Sequence, residues 1–125
     1  MAKLIKPYVI AEIGGNHDSN IDYMFEGILE AKKSGADAIK FQYYNAENLI
    51  HPKTPLMKNV KKAKTSDKNQ FDRYKRLSVP KKLLPKLYKY AKKINLDFGC
   101  SIFDHKDVDY VSKYTDFFKI ASGDI

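Results

Sequence analysis

A single cysteine, Cys100, rules out a disulfide within this 125-residue chain and fits a reducing compartment. No apolar run approaches the roughly 18–20 residues of a membrane helix, and no N-terminal signal pattern is present, so no membrane partner is expected and the cytoplasm is the expected location. The Rossmann phosphate fingerprint is missing, because Gly14-Gly15-Asn16 does not continue as G-x-G-x-x-G. Internal repeats and low-complexity tracts are absent as well. Acidic residues are scarce in one stretch: between Lys58 and Lys93, 14 Lys or Arg residues stand against only Asp67 and Asp72. The formal net charge of +8 is therefore concentrated there, and the remainder is slightly acidic. Such a segment could meet nucleic acid or another acidic surface. The plainer reading is a solvated helix face plus a loop near an anionic substrate, and no nucleic-acid module surrounds these lysines.

What is present is the composition of one globular domain, 43% hydrophobic and 30% charged, long enough to bury a core. Strand-like and helix-like segments alternate. Tyr8 to Ile13 is an apolar run of strand length closed by Gly14-Gly15. Asn20 or Ser19 can cap a helix carrying Ile21, Met24, Phe25, Ile28 and Leu29, which Gly35 ends. A second strand runs from Ala38 to Tyr43. Asn45 to Thr65 reads as a long loop with at most a short helical turn, and Ser66 to Arg76 as a short helix using Phe71 and Tyr74. Ser78 can cap the next helix with Pro80 in its first turn. Its stripe is Leu83, Leu84, Leu87, Tyr88, Ala91 and Ile94, and Pro85 either kinks it or marks its true start. Asp97 to Ile102 is the third strand. Asp104 can cap a helix through Lys113 that buries Val108, Val111 and Tyr114, and Phe117 to Ala121 is the fourth strand. This alternation predicts a parallel sheet with right-handed crossovers. A (β/α)8 barrel takes about 250 residues, so four βα units make about half of one. A doubly wound sheet is the alternative, and the missing fingerprint disfavours it.

The chemistry is expected at the carboxyl ends of these strands. Lys40, Lys119 and Glu12 each sit near such an end, within otherwise apolar strands. A charge there costs several kcal/mol by order of magnitude unless it is paired. Strand parity puts Lys40 and Gln42 on one face with Ala38, and Glu12 on one face with Ile10 and Tyr8. Three charges at matching ends point to an anion-binding, proton-handling pocket. For each lysine alone, snorkelling to solvent is the competing reading.

Several motifs resemble the N-acetylneuraminate (sialic acid) synthase family. They are Ile10-Ala11-Glu12-Ile13-Gly14, Asn16-His17, Ser34-Gly35-Ala36-Asp37-Ala38-Ile39-Lys40-Phe41-Gln42, Cys100-Ser101-Ile102-Phe103-Asp104 and Phe118-Lys119-Ile120-Ala121-Ser122-Gly123-Asp124-Ile125. The resemblance spans nearly the whole chain in one order. It implies residues 1–125 as the N-terminal half of a TIM-barrel enzyme that condenses phosphoenolpyruvate with an N-acetylated sugar aldehyde. By that resemblance Lys40 and Lys119 bind phosphoenolpyruvate, with Ser101 and Ser122 as hydroxyl donors. Gln42 meets the sugar, and Glu12 is a catalytic carboxylate. Asp124 stands where many members carry Glu, one methylene longer, as a second candidate for proton transfer. A divalent metal, Mn or Mg, is expected in the complete enzyme, with histidine ligands from later strands and none from this chain. The family's antifreeze-like domain, which completes a partner subunit's site, also lies outside it. Expected partners are therefore a second copy of the chain or a complementing C-terminal half, and the isolated chain is expected to be inactive.

Two other readings remain at this stage. Lys40 or Lys119 could form a Schiff base as in an aldolase, or residues 58 to 93 could form a non-catalytic basic binding module. His17 either belongs to the family-like Asn-His pair or simply caps its loop. His51 and His105 read as surface residues, and Cys100 as a buried strand residue.

Overall fold

The computed structural model describes residues 6–59 and 66–125, so the end of the expected Asn45–Thr65 loop and part of the basic segment lie outside the described residues. Four parallel strands form one sheet in the order β1-β2-β3-β4: Ile10–Glu12, Ala38–Tyr43, Asp97–Ile102 and Phe117–Lys119. Each strand pairs with its neighbours in sequence. Right-handed crossovers in that order put the crossover helices on one side of the sheet, as in a barrel wall, whereas a doubly wound sheet reverses direction and is covered on both sides. The α-helices lying wholly within the described residues are α1 (Ile21–Lys33), α2 (Ala46–Leu49), α3 (Gln70–Leu77), α4 (Leu84–Lys93) and α5 (Val108–Val111).

Parity divides the residues cleanly. Ile39, Phe41 and Tyr43 of β2 and Phe98 and Cys100 of β3 face the helices and pack on Met24, Ile28 and Ala31 of α1 and Leu84, Leu87 and Ala91 of α4. The rings of Phe41 and Phe98 stack at 5.3 Å. Each such fully buried side chain stabilises the fold by about 1.5–3 kcal/mol. The opposite face carries Ile10 and Glu12, then Ala38, Lys40 and Gln42, then Gly99 and Ser101, then Phe117 and Lys119. Gly99 is small for a reason: a Cβ there would stand 2.3 Å from the Phe117 ring.

The caps explain where α1 and α4 stop. The Asn20 side chain accepts from the amides of Asp22 and Tyr23. Gly35, at φ 81°, ends α1, and Asn95, at φ 54°, does the same for α4. Several expected boundaries are corrected. Helix α4 begins at Leu84 with Pro85 in its first turn, the one place where a residue without an N–H fits, so Ser78 and Pro80 do not open it. The Ser78 hydroxyl instead donates to the Lys75 carbonyl and closes α3. That helix starts later than Ser66, at Gln70, because the Asn69 side chain caps it, and it buries Gln70 and Leu77 where Phe71 and Tyr74 were expected. The expected Asp104–Lys113 helix is a 3-10 turn, a single α turn and a second 3-10 turn, which leaves Val108 exposed while Val111 is buried. Strands one and four are shorter than the apolar runs suggested, and Ser122 falls in a 3-10 turn, Ser122–Asp124.

Candidate active site

The register of the sheet assembles the site. Glu12 is the direct partner of Lys40 in the β1–β2 pairing, and Ser101 is the direct partner of both Gln42 and Lys119. Five side chains from four strands therefore rise from the inner face at its carboxyl end. The Lys40 ammonium lies 3.5 Å from a Glu12 carboxylate oxygen, and the Lys119 ammonium lies 3.4 Å from the same atom. Lys40 also donates to the Ser101 hydroxyl at 3.3 Å. The snorkelling alternative fails for Lys40, whose residue is only 2% exposed. Lys119 and Glu12 are half-exposed.

Burial pushes the Glu12 carboxyl up, but the Lys40 charge and the hydrogen bond and charge of Lys119 outweigh it. Its pKa lies below the ordinary carboxylate value, and Glu12 is ionised at neutral pH. Two ammonium groups on one carboxylate leave a surplus of positive charge, and the Ser101 hydroxyl adds a neutral donor. An incoming anion with several oxygens meets three donors there without requiring the loop backbone. Gln42 pairs in register with Ser101, and its amide oxygen is 3.6 Å from where a Cβ on Gly14 would stand.

The other expected site residues are placed elsewhere. Ser122 is exposed in the last turn, and Asp124 is exposed there too, lining a separate hollow with Ile102, Phe103, Asp104 and Val108. The hydrogen bonds and ion pairs of the Glu12 cluster run among Glu12, Lys40, Ser101 and Lys119. Among the described residues no three His, Cys, Asp or Glu side chains converge on a point that could hold a metal. His51 and His105 are exposed. Cys100 is buried, and burial pushes its thiol up to about 12, which makes it inert.

The basic segment is partly spent inside the protein. Arg76 grips Asp67 with two parallel bonds of 2.8 and 2.9 Å and also meets Asp18, while Arg73 approaches Asp67 at 3.5 Å. Lys75 pairs with Glu47, Lys92 pairs with Asp97 and Asp116, and Lys81 sits over the Tyr110 ring. The Asp67–Arg76–Asp18 arrangement was not foreseen. Its one signal in the sequence is that two arginines stand in a segment otherwise basic through lysine, and only the guanidinium fork suits a bidentate carboxylate.

A parallel sheet of consecutive βα units, with paired cations at the carboxyl ends of its strands, defines the class: part of a (β/α)8 barrel. The chain belongs to the NeuB family, whose profile matches residues 27–125. It is 34% identical over 121 residues to the N,N'-diacetyllegionaminic acid synthase of Campylobacter jejuni, covering 96% of this chain and 36% of that protein. It is 33% identical to the N-acetylneuraminate-9-phosphate synthase of Mus musculus, covering 94% of this chain and 33% of that one. The crystal structure of the sialic acid synthetase of Leptospira borgpetersenii, in complex with citrate, superposes with a TM-score of 0.75 at 29% identity, covering 94% of this chain and 36% of that one. The chain thus spans about a third of the length of these relatives. Among the described residues no helix is long and apolar enough to cross a membrane.

Proposed function

We propose that the chain is the N-terminal half of a sialic-acid-synthase-type barrel, and that Lys40, Lys119 and Ser101 hold phosphoenolpyruvate at its mouth. The observation that carries this reading is the convergence of both ammonium groups on one Glu12 oxygen, with Ser101 adjoining. In the complete enzyme the methylene carbon of phosphoenolpyruvate attacks the aldehyde carbon of an N-acetylated sugar such as N-acetylmannosamine. Water adds at the neighbouring carbon, and C–O cleavage releases phosphate and a nonulosonic acid. The ammonium groups offset the charge on phosphate and carboxylate, and Glu12 positions or moves a proton beside the reacting carbons. Gln42 faces the sugar. The divalent metal of the complete enzyme would be held by residues outside this chain. Alone, residues 1–125 bind the anion weakly and catalyse no condensation.

The test is a chemical-shift titration of the isotopically labelled chain with phosphoenolpyruvate. Resonances of Lys40, Ser101 and Lys119 should move together, and Lys40→Met should abolish the response. An unchanged response in Lys40→Met and Lys119→Met overturns the assignment. Borohydride trapping with pyruvate should give no adduct; a covalent lysine adduct would instead indicate Schiff-base chemistry.

A further inference from the structure

The loop between β1 and α1 is held in an unusual shape. Asp18 and Ser19, at φ 47° and 65°, are both left-handed, and neither is glycine. What fixes them is His17, which is 3% exposed. Its Nδ1 accepts the Ser19 amide at 3.0 Å, and its carbonyl accepts the Asn20 amide at 2.8 Å. The turn presents the Asp18 carboxylate to the Arg76 guanidinium and the Ser19 hydroxyl to the Arg76 carbonyl. Arg76 is in turn fixed by Asp67, whose side chain is 4% exposed. One residue along, Leu77 lies on Gly15, where a Cβ would stand 3.0 Å from its methyl, and Gly14 abuts Gln42. A continuous path therefore links the imidazole, the left-handed turn, helix α3 and the Gln42 side of the mouth.

We propose that His17 is a positioning residue: its neutral imidazole holds the Asp18–Ser19 turn as the receiving half of a clasp for Arg76, which seats α3 beside the mouth, and protonation of His17 opens that clasp. The chemistry is direct. A neutral ring with Nδ1 accepting carries its proton on Nε2. A second proton must go on Nδ1, which then faces the Ser19 N–H donor to donor. The groups around the ring are Asp18 on its own loop, Arg76 from α3, and Tyr23, Glu26 and Glu30 from α1, which line the same cleft of about 590 Å3. Burial lowers the imidazole below its ordinary value and the Arg76 charge adds to this, with Asp18 opposing. The functional consequence rests on the phosphoenolpyruvate reading of the mouth; the clasp itself does not.

The experiment follows hydrogen exchange of α3 amides, the Arg76 Nε–H signal and the His17 ring shifts of the 125-residue chain between pH 7.5 and 5, with inner β2–β3 amides as an internal control for global opening. Protection of α3 should fall about tenfold with the midpoint at which His17 titrates, while the β2–β3 amides stay protected. In His17→Asn the side-chain oxygen can accept the same N–H without titrating, so α3 protection should hold across the range. Arg76→Lys should lower α3 protection at every pH. Either of two results overturns the proposal: the same pH step in His17→Asn, or undiminished protection in Arg76→Lys. These readouts need no ligand, so a failed phosphoenolpyruvate titration would leave them standing.

Discussion

Lys40 and Glu12 are direct partners in the parallel pairing of adjacent strands, and their charged groups meet at 3.5 Å on the inner face of the sheet. The lysine is buried and the carboxylate half-exposed, so an anion arriving from solvent meets Glu12 and Lys119 first and Lys40 behind them.

Replacing Glu12 with Gln keeps shape and hydrogen bonding while removing charge and basicity. In a complete enzyme, assembled by co-expression with a C-terminal half or in a full-length homologue, kcat should fall by about 100-fold or more, the scale of general acid–base work, with a smaller change in phosphoenolpyruvate affinity. Steady-state kinetics checks this, and near-normal turnover would leave Glu12 as a structural partner of the lysines.

Lys40→Met should weaken phosphoenolpyruvate binding more than Lys119→Met does. Lys40 reaches both Glu12 and Ser101 from a desolvated position, whereas half of the Lys119 side chain is in water, where its attraction is screened. Calorimetric or shift titrations of the two variants side by side give the order.

Gly99→Ala should destabilise the chain by about 1–3 kcal/mol, because the added methyl enters the space of the Phe117 ring within a paired register. Urea unfolding measures it. A second change, Phe117→Leu, should recover part of the loss.

Asp97 accepts the Tyr8 hydroxyl at 2.6 Å and pairs with Lys92, and the Tyr8 bond and then Lys92 hold its pKa below the ordinary carboxylate value. A carboxylate lowered in the folded state stabilises above its unfolded value, about 3.9, and that contribution disappears as pH falls through the folded value. Asp97→Asn should therefore lower the urea midpoint at pH 7 and have progressively less effect below pH ~4.

A chain of residues 1–125 should associate. Among the described residues no strand pairs with the outer edge of β1 or of β4, and Ile10, Phe118 and Ile120 are exposed around them. Sedimentation at micromolar concentration should show a dimer or larger species, and a stable monomer would count against it.

Strand parity and charge placement made most of the site legible. Lys40, Gln42 and Glu12 could be put on one face because alternation is a property of the backbone, and the structure keeps them there. Ser122 and Asp124 were harder, since the apolar run Phe117 to Ala121 does not show where pairing with β3 ends. The α4 start was ambiguous between Pro80 and Pro85 because both prolines suit a first turn, and only packing of Leu84 and Leu87 decides. The Asp67–Arg76–Asp18 clasp leaves only its arginine as a trace in the sequence: its partners are distant from one another, and burial of Asp67 is a tertiary property.

Every strand in this sheet lies beside the strands that precede and follow it in the chain. Pairing can therefore advance from the N-terminus as the polypeptide leaves the ribosome, each new strand adding to an edge already formed. Parallel pairing across a crossover is non-local and slow beside a hairpin, and the time it takes is governed by the widest gap to be closed. That gap is the connection from Tyr43 to Asp97, which carries α2, α3 and α4. The ion pairs that gather this connection, Lys75 with Glu47 and Arg76 with Asp67 and Asp18, shorten the distance β3 must search before it finds β2.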